Sequence, residues 1–217
     1  MIAATRRLVI TADDFGLDPA VNEAVERGHR EGVLTAASLM VTGPAAADAV
    51  ARARRLPGLR VGLHLDLVDG APASPADSLP HLVKGGGFRG GMVAAGARMF
   101  FLAAARRELA AEIAAQVSAF AATGLACDHL NAHKHFHLHP TIARLYLAHA
   151  ASLGVRAMRV PFEPAAPLKA IESGGQIAVT PFFDALSRRL CDRVHRAGLA
   201  APDQVFGLRW TGAMTAS

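Results

Sequence analysis

Cysteine, acidic residues and long apolar runs are all scarce in this sequence of 217 residues, and each shortage excludes a class of protein. Cys127 and Cys191 lie far apart and form no C-x-x-C pair, so neither a disulfide framework nor a zinc finger is indicated. The most apolar stretch, MVAAGARMFFLAAA, is interrupted by Arg98 and is shorter than the roughly 20 apolar residues that a membrane span requires. The N-terminal LVITA is too short for the apolar part of a secretory signal. We therefore expect a cytoplasmic protein without a transmembrane segment.

Acidic side chains are the minority charge, with 18 Asp and Glu against 23 Lys and Arg and a formal net charge of +5. The basic residues are spread along helical stretches and do not alternate with aromatic residues, so nucleic acid is not an expected partner. The G-x-S-x-G and Walker motifs are also missing, and serine hydrolases and P-loop enzymes are therefore not indicated. Residues 85–90, GGGFRG, fit a dinucleotide-binding pattern by letters alone. Because no strand precedes them, we interpret them as a flexible loop.

Apolar residues make up 52% of the chain, which is enough for one well-packed domain over residues 1–217. Short β-branched runs alternate with alanine-rich helical runs, among them a helical region over 92–123. Such βα repeats predict an α/β fold with a parallel sheet, either a barrel or a doubly wound sheet. Residues 69–91 are rich in proline and glycine, and we interpret them as a lid or a disordered loop. The predicted strands cover residues 6–12, 34–42, 59–68, 126–132, 155–161 and 203–210.

Histidine is concentrated in NAHKHFHLHP, where His133, His135, His137 and His139 occupy every second position. A period of two suits an extended segment, in which alternate side chains share one face. Such a row is typical of a metal site, a proton relay or a solvated polar edge. For His139, which precedes a proline, an ordinary exposed or hydrogen-bonded side chain is the preferred interpretation.

Metal-binding side chains also occur where three predicted strands end. Asp13 and Asp14 follow the first strand, His64 lies late in the third, and His133 follows the fourth. Because the carboxyl ends of parallel strands meet at one edge of a sheet, these side chains are expected to converge. We predict one divalent ion held by Asp14, His64 and His133, with Asp13 as the base that deprotonates a metal-bound water. Imidazole ligands favour Zn²⁺, whereas the carboxylate and open water positions also allow Mg²⁺. The nearby Asp66 and Asp69 are interpreted as solvated strand ends.

Three segments, ITADDFGLDPAVNEAV, VGLHLDLV and HLNAHKHFHLHP, resemble the signatures of the YdjC-like carbohydrate deacetylases. The resemblance implies a distorted (β/α) barrel and a metal-dependent enzyme that removes acetyl groups from N-acetylated sugars. It places the metal ligands on Asp14, His64 and His133 and the base on Asp13, in agreement with the residue-based assignment. GVLTAASLMVTGPAAADAVARAR and DQVFGLRWTGAMT are further similar to the branch associated with hopanoid biosynthesis, which implies N-acetylglucosamine on a hopanoid lipid as substrate.

The C-terminus departs from the pattern of that family. Members of the family continue through further βα units that carry an active-site histidine. We therefore expect an incomplete barrel here, and we expect His135 or His137 to protonate the leaving amine. Unpaired strand edges would also favour a homo-oligomer. If the substrate is a glycolipid, MVAAGARMFFLAAA is the expected peripheral membrane contact. A metal-dependent phosphoesterase and a non-catalytic metal-binding protein are the alternatives.

Overall fold

The computed structural model of the chain describes residues 7–164 and 181–208, and a five-stranded parallel sheet forms its centre. The remaining two strands pair with each other as a small antiparallel hairpin. Numbered along the chain, the strands are β1 (Thr11–Phe15), β2 (Ala36–Leu39), β3 (Arg60–Leu65), β4 (Val83–Lys84), β5 (Gly87–Phe88), β6 (His129–Ala132) and β7 (Ala157–Met158). The central sheet has the order β1-β2-β3-β6-β7, so strands adjacent in space are also consecutive along the chain once the hairpin is set aside.

Helices and 3₁₀ turns connect these strands. Asp18 begins the first helix as expected, because its Oδ1 accepts a hydrogen bond from the Ala20 N–H at 2.7 Å and Pro19 occupies the first helical position. Within the described ranges, no helix is long and apolar enough to cross a membrane. The helices are α1 (Pro19–Arg30), α2 (Ala46–Arg54), α3 (Met92–Phe101), α4 (Ala103–Ala122), α5 (Pro140–Leu147) and α6 (Pro181–Arg196), and the 3₁₀ turns are Ala76–Ser78 and His133–Leu138.

The strand order confirms an α/β fold with a parallel central sheet. A doubly wound sheet contains a point at which the strand order reverses, and the order of the five central strands has no reversal. A barrel further requires that β1 and β7 be joined through additional strands. Barrel closure therefore stays a prediction.

The chain after α6 pairs with β7 at a single position. Ala157 and Ala200 form an isolated parallel bridge, in which the Ala200 N–H donates to the Arg156 carbonyl at 2.8 Å. The strand predicted over 203–210 is wrong for residues 203–208, because the chain meets β7 earlier than the sequence pattern indicated. Residues 209 and 210 lie outside the described residues.

The first strand begins later than the predicted 6–12, of which residue 6 is not described. β2 begins at Ala36, which pairs with Thr11 and donates to the Ile10 carbonyl, so residues 7–9 run beyond the paired part of the sheet and Leu8 is 80% exposed. The strand instead continues through the DDF triplet. This displacement places both aspartates inside the sheet and not in the turn after it.

β3 lies in the middle of the sheet and is buried as its apolar sequence predicts. Five of its six residues are buried, and β2 beside it is buried throughout. Tyr146 on α5 is also fully buried, and its hydroxyl donates a hydrogen bond of 2.9 Å to the Leu63 carbonyl. This contact holds in place the end of β3, where His64 follows Leu63.

Residues 69–91 pack against the rest of the chain, so the disordered-loop alternative is wrong, whereas the lid stays a prediction. Leu79 and Leu82 are buried, and the glycine-rich part forms the β4–β5 turn with positive φ at Gly85 and Gly86. Glu108 and Glu112 on α4 accept hydrogen bonds from backbone N–H groups of this segment. These contacts provide partners that the local sequence could not reveal. The helical region over 92–123 is likewise divided, because Leu102 is extended between α3 and α4.

Candidate metal centre

Asp14, His64 and His133 come together at the carboxyl edge of the sheet. Asp14 Oδ1 lies 2.9 Å from His133 Nδ1 and 3.2 Å from His64 Nε2, and one potential ligand atom from each residue lies within 4.8 Å of the others. The three residues belong to β1, β3 and the 3₁₀ turn after β6, as the strand-end argument predicts. One carboxylate and two imidazoles are a donor set that suits a divalent ion with ligand bonds of about 2.1 Å. The residues present therefore fit the implied metal.

Unusual backbone conformations are concentrated around these three residues. In residues 7–164 and 181–208, the non-glycine residues with positive φ are Asp14, Asp69, Lys134 and His135, at 60°, 71°, 50° and 56°. Each such conformation costs on the order of 1–3 kcal/mol and persists only where the surrounding structure imposes it. Asp14 is itself a candidate ligand, and two of the other three directly follow His133. This clustering is typical of a functional site.

A bulge in β1 explains how two consecutive aspartates reach the same site. Successive side chains of a regular strand point to opposite faces of the sheet. The pairing of β1 with β2 shifts in register between Ala12 and Phe15, and Asp14 within this stretch has positive φ. As a result, Asp14 contacts the two histidines while Asp13 contacts Arg159 and Asn131.

Asp13 is held by Arg159, a residue that the sequence analysis did not single out. The Arg159 guanidinium donates two hydrogen bonds to the carboxylate, of 2.6 Å from Nη1 and 2.8 Å from Nη2. Burial raises the pKa of Asp13, but the Arg159 hydrogen bonds and the neighbouring positive charges outweigh it and hold the pKa well below its usual range. Asp13 is therefore an ionised carboxylate at neutral pH. The signal in the sequence was an arginine late in the fifth predicted strand, VRAMRVP, near the edge of the sheet where the other site residues lie.

Asp14 is likewise held ionised. Burial raises the pKa of its carboxyl group. The hydrogen bonds with His133 and His64 lower that pKa by more than burial raises it, so it lies well below the usual range. The hydrogen bond with Asp14 correspondingly raises the pKa of His133. Both rings therefore share the Asp14 carboxylate as a hydrogen-bond partner.

His135 and His137 have different surroundings. Burial, assisted by the charge of Arg159, lowers the pKa of His135 to about 4, and burial lowers the pKa of His137 to about 3. His137 is fully buried and its Nε2 lies 2.9 Å from the Arg159 carbonyl, whereas His135 is partly exposed. Both rings are neutral at pH 7, and each has a buried Nδ1 without a hydrogen-bond partner in the described structure. His139 packs away from the centre, against Phe100 and Phe136.

The two aspartates after β3 differ from the expected solvated strand ends. Asp66 is 1% exposed, and burial raises its pKa. Its Oδ1 accepts a hydrogen bond from the Val68 N–H, and its Oδ2 packs so closely on Gly70 that a Cβ there would lie 1.9 Å away. The solvated interpretation is therefore wrong for Asp66. Asp69 is half-exposed and forms an ion pair with Lys134 beside the centre.

Comparison with known proteins identifies the family of this chain. A sequence model of the family described as YdjC-like protein matches residues 7–217. The chain belongs to the YdjC-like family. It is 39% identical over 142 residues to a carbohydrate deacetylase from Brevibacillus brevis, a match that covers 65% of this chain and 54% of that protein. It is 31% identical over 211 residues to the mouse carbohydrate deacetylase, a match that covers 95% of this chain and 64% of the relative.

The YdjC-like chain also resembles a solved structure. A crystal structure of an Enterococcus faecalis protein, described as a candidate cellobiose-phosphate cleavage protein, superposes with a TM-score of 0.64. The match has 24% identity and covers 90% of this chain and 66% of that one, and it shows the fold alone. The chain thus spans between about half and two thirds of the length of the proteins that it matches.

Proposed function

We propose that this YdjC-like protein is a metal-dependent carbohydrate N-deacetylase, which hydrolyses the acetamide of an N-acetylated sugar to acetate and a free amine. The observation that carries the proposal is the cluster of Asp14, His64 and His133 with an ionised Asp13 beside it. Relatives named carbohydrate deacetylase support the choice of reaction.

Asp14, His64 and His133 would hold the ion, for which two imidazoles favour Zn²⁺ and the carboxylate also allows Mg²⁺. When bound, such an ion polarises the acetyl carbonyl, stabilises the oxyanion and lowers the pKa of a coordinated water. The position of Asp14 on a bulged strand keeps its carboxylate directed at both rings. The chain itself therefore supplies a preorganised ligand set.

Asp13 is the proposed base. It accepts the proton of the attacking water at a carboxylate oxygen, and the two hydrogen bonds from Arg159 fix the orientation of that carboxylate. Its low pKa ensures that it is ionised at neutral pH, and the Arg159 guanidinium, which has no acceptor, does not take the proton itself. Arg159 is thus a positioning residue for the base.

Departure of the sugar amine requires a proton on its nitrogen. We propose that His135 accepts the proton carried by Asp13 at its unpartnered Nδ1 and passes it to the amine, because its ring is partly exposed and lies in the electrostatic field of Asp13. The Nε2 of His137 is already hydrogen bonded to the Arg159 carbonyl, so we assign to His137 the support of Arg159.

A hopanoid bearing N-acetylglucosamine is the proposed natural substrate, and an exposed apolar surface near α3 supports a lipid-linked sugar. Val93 and Phe101 are 89% and 75% exposed, and residues 79–107 contain five Lys and Arg and no Asp or Glu. Exposed apolar side chains among basic ones are typical of a peripheral contact with an anionic membrane. Higher activity on the glycolipid than on free N-acetylglucosamine oligomers would support this substrate, and equal activity would oppose it.

An assay of two products separates the candidate reactions. Acetate and phosphate release should be measured on N-acetylated and phosphorylated sugars, each with and without a chelator. Acetate release that stops with chelator supports the deacetylase. Phosphate release would instead support a phosphoesterase, and metal binding without either product would support a binding protein.

Self-association through the outer strands also stays a prediction, which the molar mass in solution would test.

A further inference from the structure

A chain of hydrogen-bonded polar side chains, buried except for Asp128 at its end, leads away from the candidate metal centre. Asn131, in the middle of β6, is fully buried beside His64. Its Oδ1 lies 2.7 Å from His64 Nδ1, and its Nδ2 lies 2.7 Å from Ser38 Oγ and 3.3 Å from Asp13 Oδ1. Asn131 therefore contacts a proposed metal ligand and the proposed base at the same time.

The chain continues away from the centre through two more side chains. Ser38 Oγ lies 3.0 Å from His129 Nε2, and His129 Nδ1 lies 3.2 Å from Asp128 Oδ2. Ser38 is fully buried, so its hydroxyl must find its hydrogen-bond partners within the protein. Asp128 can only accept, so with the His129 proton on Nδ1 the Ser38 hydroxyl donates to His129 Nε2 and accepts from Asn131 Nδ2.

One orientation of the Asn131 amide matches metal binding by His64. If His64 binds an ion through Nε2, which faces Asp14, its proton must be on Nδ1. That N–H then donates to Asn131 Oδ1, and the amide nitrogen donates to Ser38 and Asp13. Every contact in this arrangement joins a donor to an acceptor.

The opposite orientation of the same amide matches the other tautomer. With oxygen and nitrogen exchanged, the amide nitrogen donates to His64 Nδ1, and the amide oxygen accepts from Ser38 at 2.7 Å and from both terminal nitrogens of Arg159 at 3.1 Å. The His64 proton is then on Nε2 and donates to Asp14 at 3.2 Å. This arrangement satisfies the amide, but it takes the single Ser38 hydroxyl proton away from His129 Nε2 and places a His64 proton where an ion would bind.

We infer that Asn131 is a positioning residue whose amide orientation selects the tautomer of His64 and thereby couples metal binding to the hydrogen bonding of Asp13. The inference rests on the proposed function for the role of Asp13. It does not depend on turnover for the role at His64. In the metal-competent orientation the Asn131 amide nitrogen donates to Asp13. In the other orientation the amide oxygen accepts from Arg159 instead.

Two substitutions at Asn131 test this role with Zn²⁺ binding as the readout. Asn131→Asp offers an acceptor to His64 in either orientation, so the Zn²⁺ dissociation constant should change by less than about threefold. Asn131→Leu offers none, and the loss of an outer hydrogen bond to a metal-binding histidine should weaken Zn²⁺ about 10- to 100-fold. Ser187→Ala is the matched control, because it removes a buried hydroxyl bonded to the Pro161 carbonyl away from the centre. It should leave Zn²⁺ affinity unchanged.

Nitrogen NMR of His64 tests the tautomer directly in the wild-type protein. We expect the ring proton on Nε2 in the metal-free protein and on Nδ1 after addition of Zn²⁺. Unchanged Zn²⁺ affinity in Asn131→Leu, equal weakening in Asn131→Asp, or one tautomer in both states would each overturn the inference. Acetate release reports on the proposed function separately, since the Zn²⁺ result can hold without turnover. A wild-type protein that binds no Zn²⁺ would overturn both.

Discussion

Replacement of Arg159 by methionine tests the assignment of Asp13 most sharply. The substitution keeps an unbranched apolar stem but removes both hydrogen bonds to the Asp13 carboxylate. Asp13 then retains its burial, which raises its pKa, and loses the largest of the interactions that lower it. We therefore expect the pKa of Asp13 to rise in Arg159→Met, and the folded protein to be less stable at neutral pH.

The expected loss of stability follows from the geometry of the pair. A hydrogen bond to a charged group contributes about 1.5–3 kcal/mol, and removal of one partner of a buried ion pair costs about 3–5 kcal/mol. The side chain of Asp13 is 33% exposed, so water replaces part of the lost interaction and the cost must be discounted. We expect a decrease of about 2 kcal/mol in the free energy of unfolding.

The effect of Arg159→Met on stability should depend on pH. In the wild type the pKa of folded Asp13 is depressed, so its contribution to stability is present above about pH 4 and is lost only as the pH falls through that depressed pKa. In Arg159→Met the carboxyl group takes up its proton at a higher pH. The difference in stability between the two proteins should therefore be largest at pH 7 and should shrink toward pH 3.

The assay is urea unfolding of the metal-free proteins, in a double-mutant cycle with Asp13→Asn. A coupling energy of about 2 kcal/mol at pH 7 is expected, since each single variant already removes the interaction. Arg193→Met is the matched control, because Arg193 donates a 2.9 Å hydrogen bond to the Pro140 carbonyl and should not couple to Asp13. Additive effects within about 0.5 kcal/mol, or an equal loss at pH 7 and pH 3, would refute the reasoning.

Three further predictions concern the base, the core and the buried histidine. Asp13→Asn should retain Zn²⁺ but lose acetate release, because an amide cannot accept the proton of water, and normal turnover would reassign the base. Tyr146→Phe should lower the free energy of unfolding by about 1–2 kcal/mol, because the Leu63 carbonyl loses its 2.9 Å partner, and an unchanged urea midpoint would contradict that contact. His137 has a pKa of about 3 in the folded protein, so only the unfolded chain binds a proton there between about pH 6.5 and pH 3. The free energy of unfolding should therefore decrease as the pH is lowered through this range. His137→Gln should make this dependence shallower by up to about 1.4 kcal/mol per pH unit in the metal-free protein, and equal slopes would contradict the assignment.

The convergence of Asp13, Asp14, His64 and His133 could be predicted because the carboxyl ends of parallel strands share an edge. That argument needs only the approximate ends of three strands, and it tolerated the displacement of β1 along the chain. It could not reveal the bulge that directs both aspartates to the site. The bulge depends on pairing with β2, which is a contact between distant residues.

Arg159 and Asp66 show what local patterns leave out. Arg159 is a site residue only because β7 ends immediately before it, whereas the sequence predicted a strand through residue 161. Asp66 follows an apolar strand and appeared suited to solvent, yet Gln116 on α4 hydrogen bonds to its backbone N–H and carbonyl and helps to enclose it. Both outcomes depend on how separate elements pack, and such packing leaves no periodic signal within either element.

Acetate released from an N-acetylglucosamine disaccharide by the metal-free, Zn²⁺-loaded and His64→Ala proteins is the most direct test of the proposed activity. We predict that chelation abolishes release and that one equivalent of Zn²⁺ restores it. We predict that His64→Ala, which retains only two of the three proposed ligands, neither binds the ion stoichiometrically nor recovers activity. Full release in the presence of chelator, or recovery of His64→Ala to the wild-type rate at one equivalent of Zn²⁺, would contradict the account.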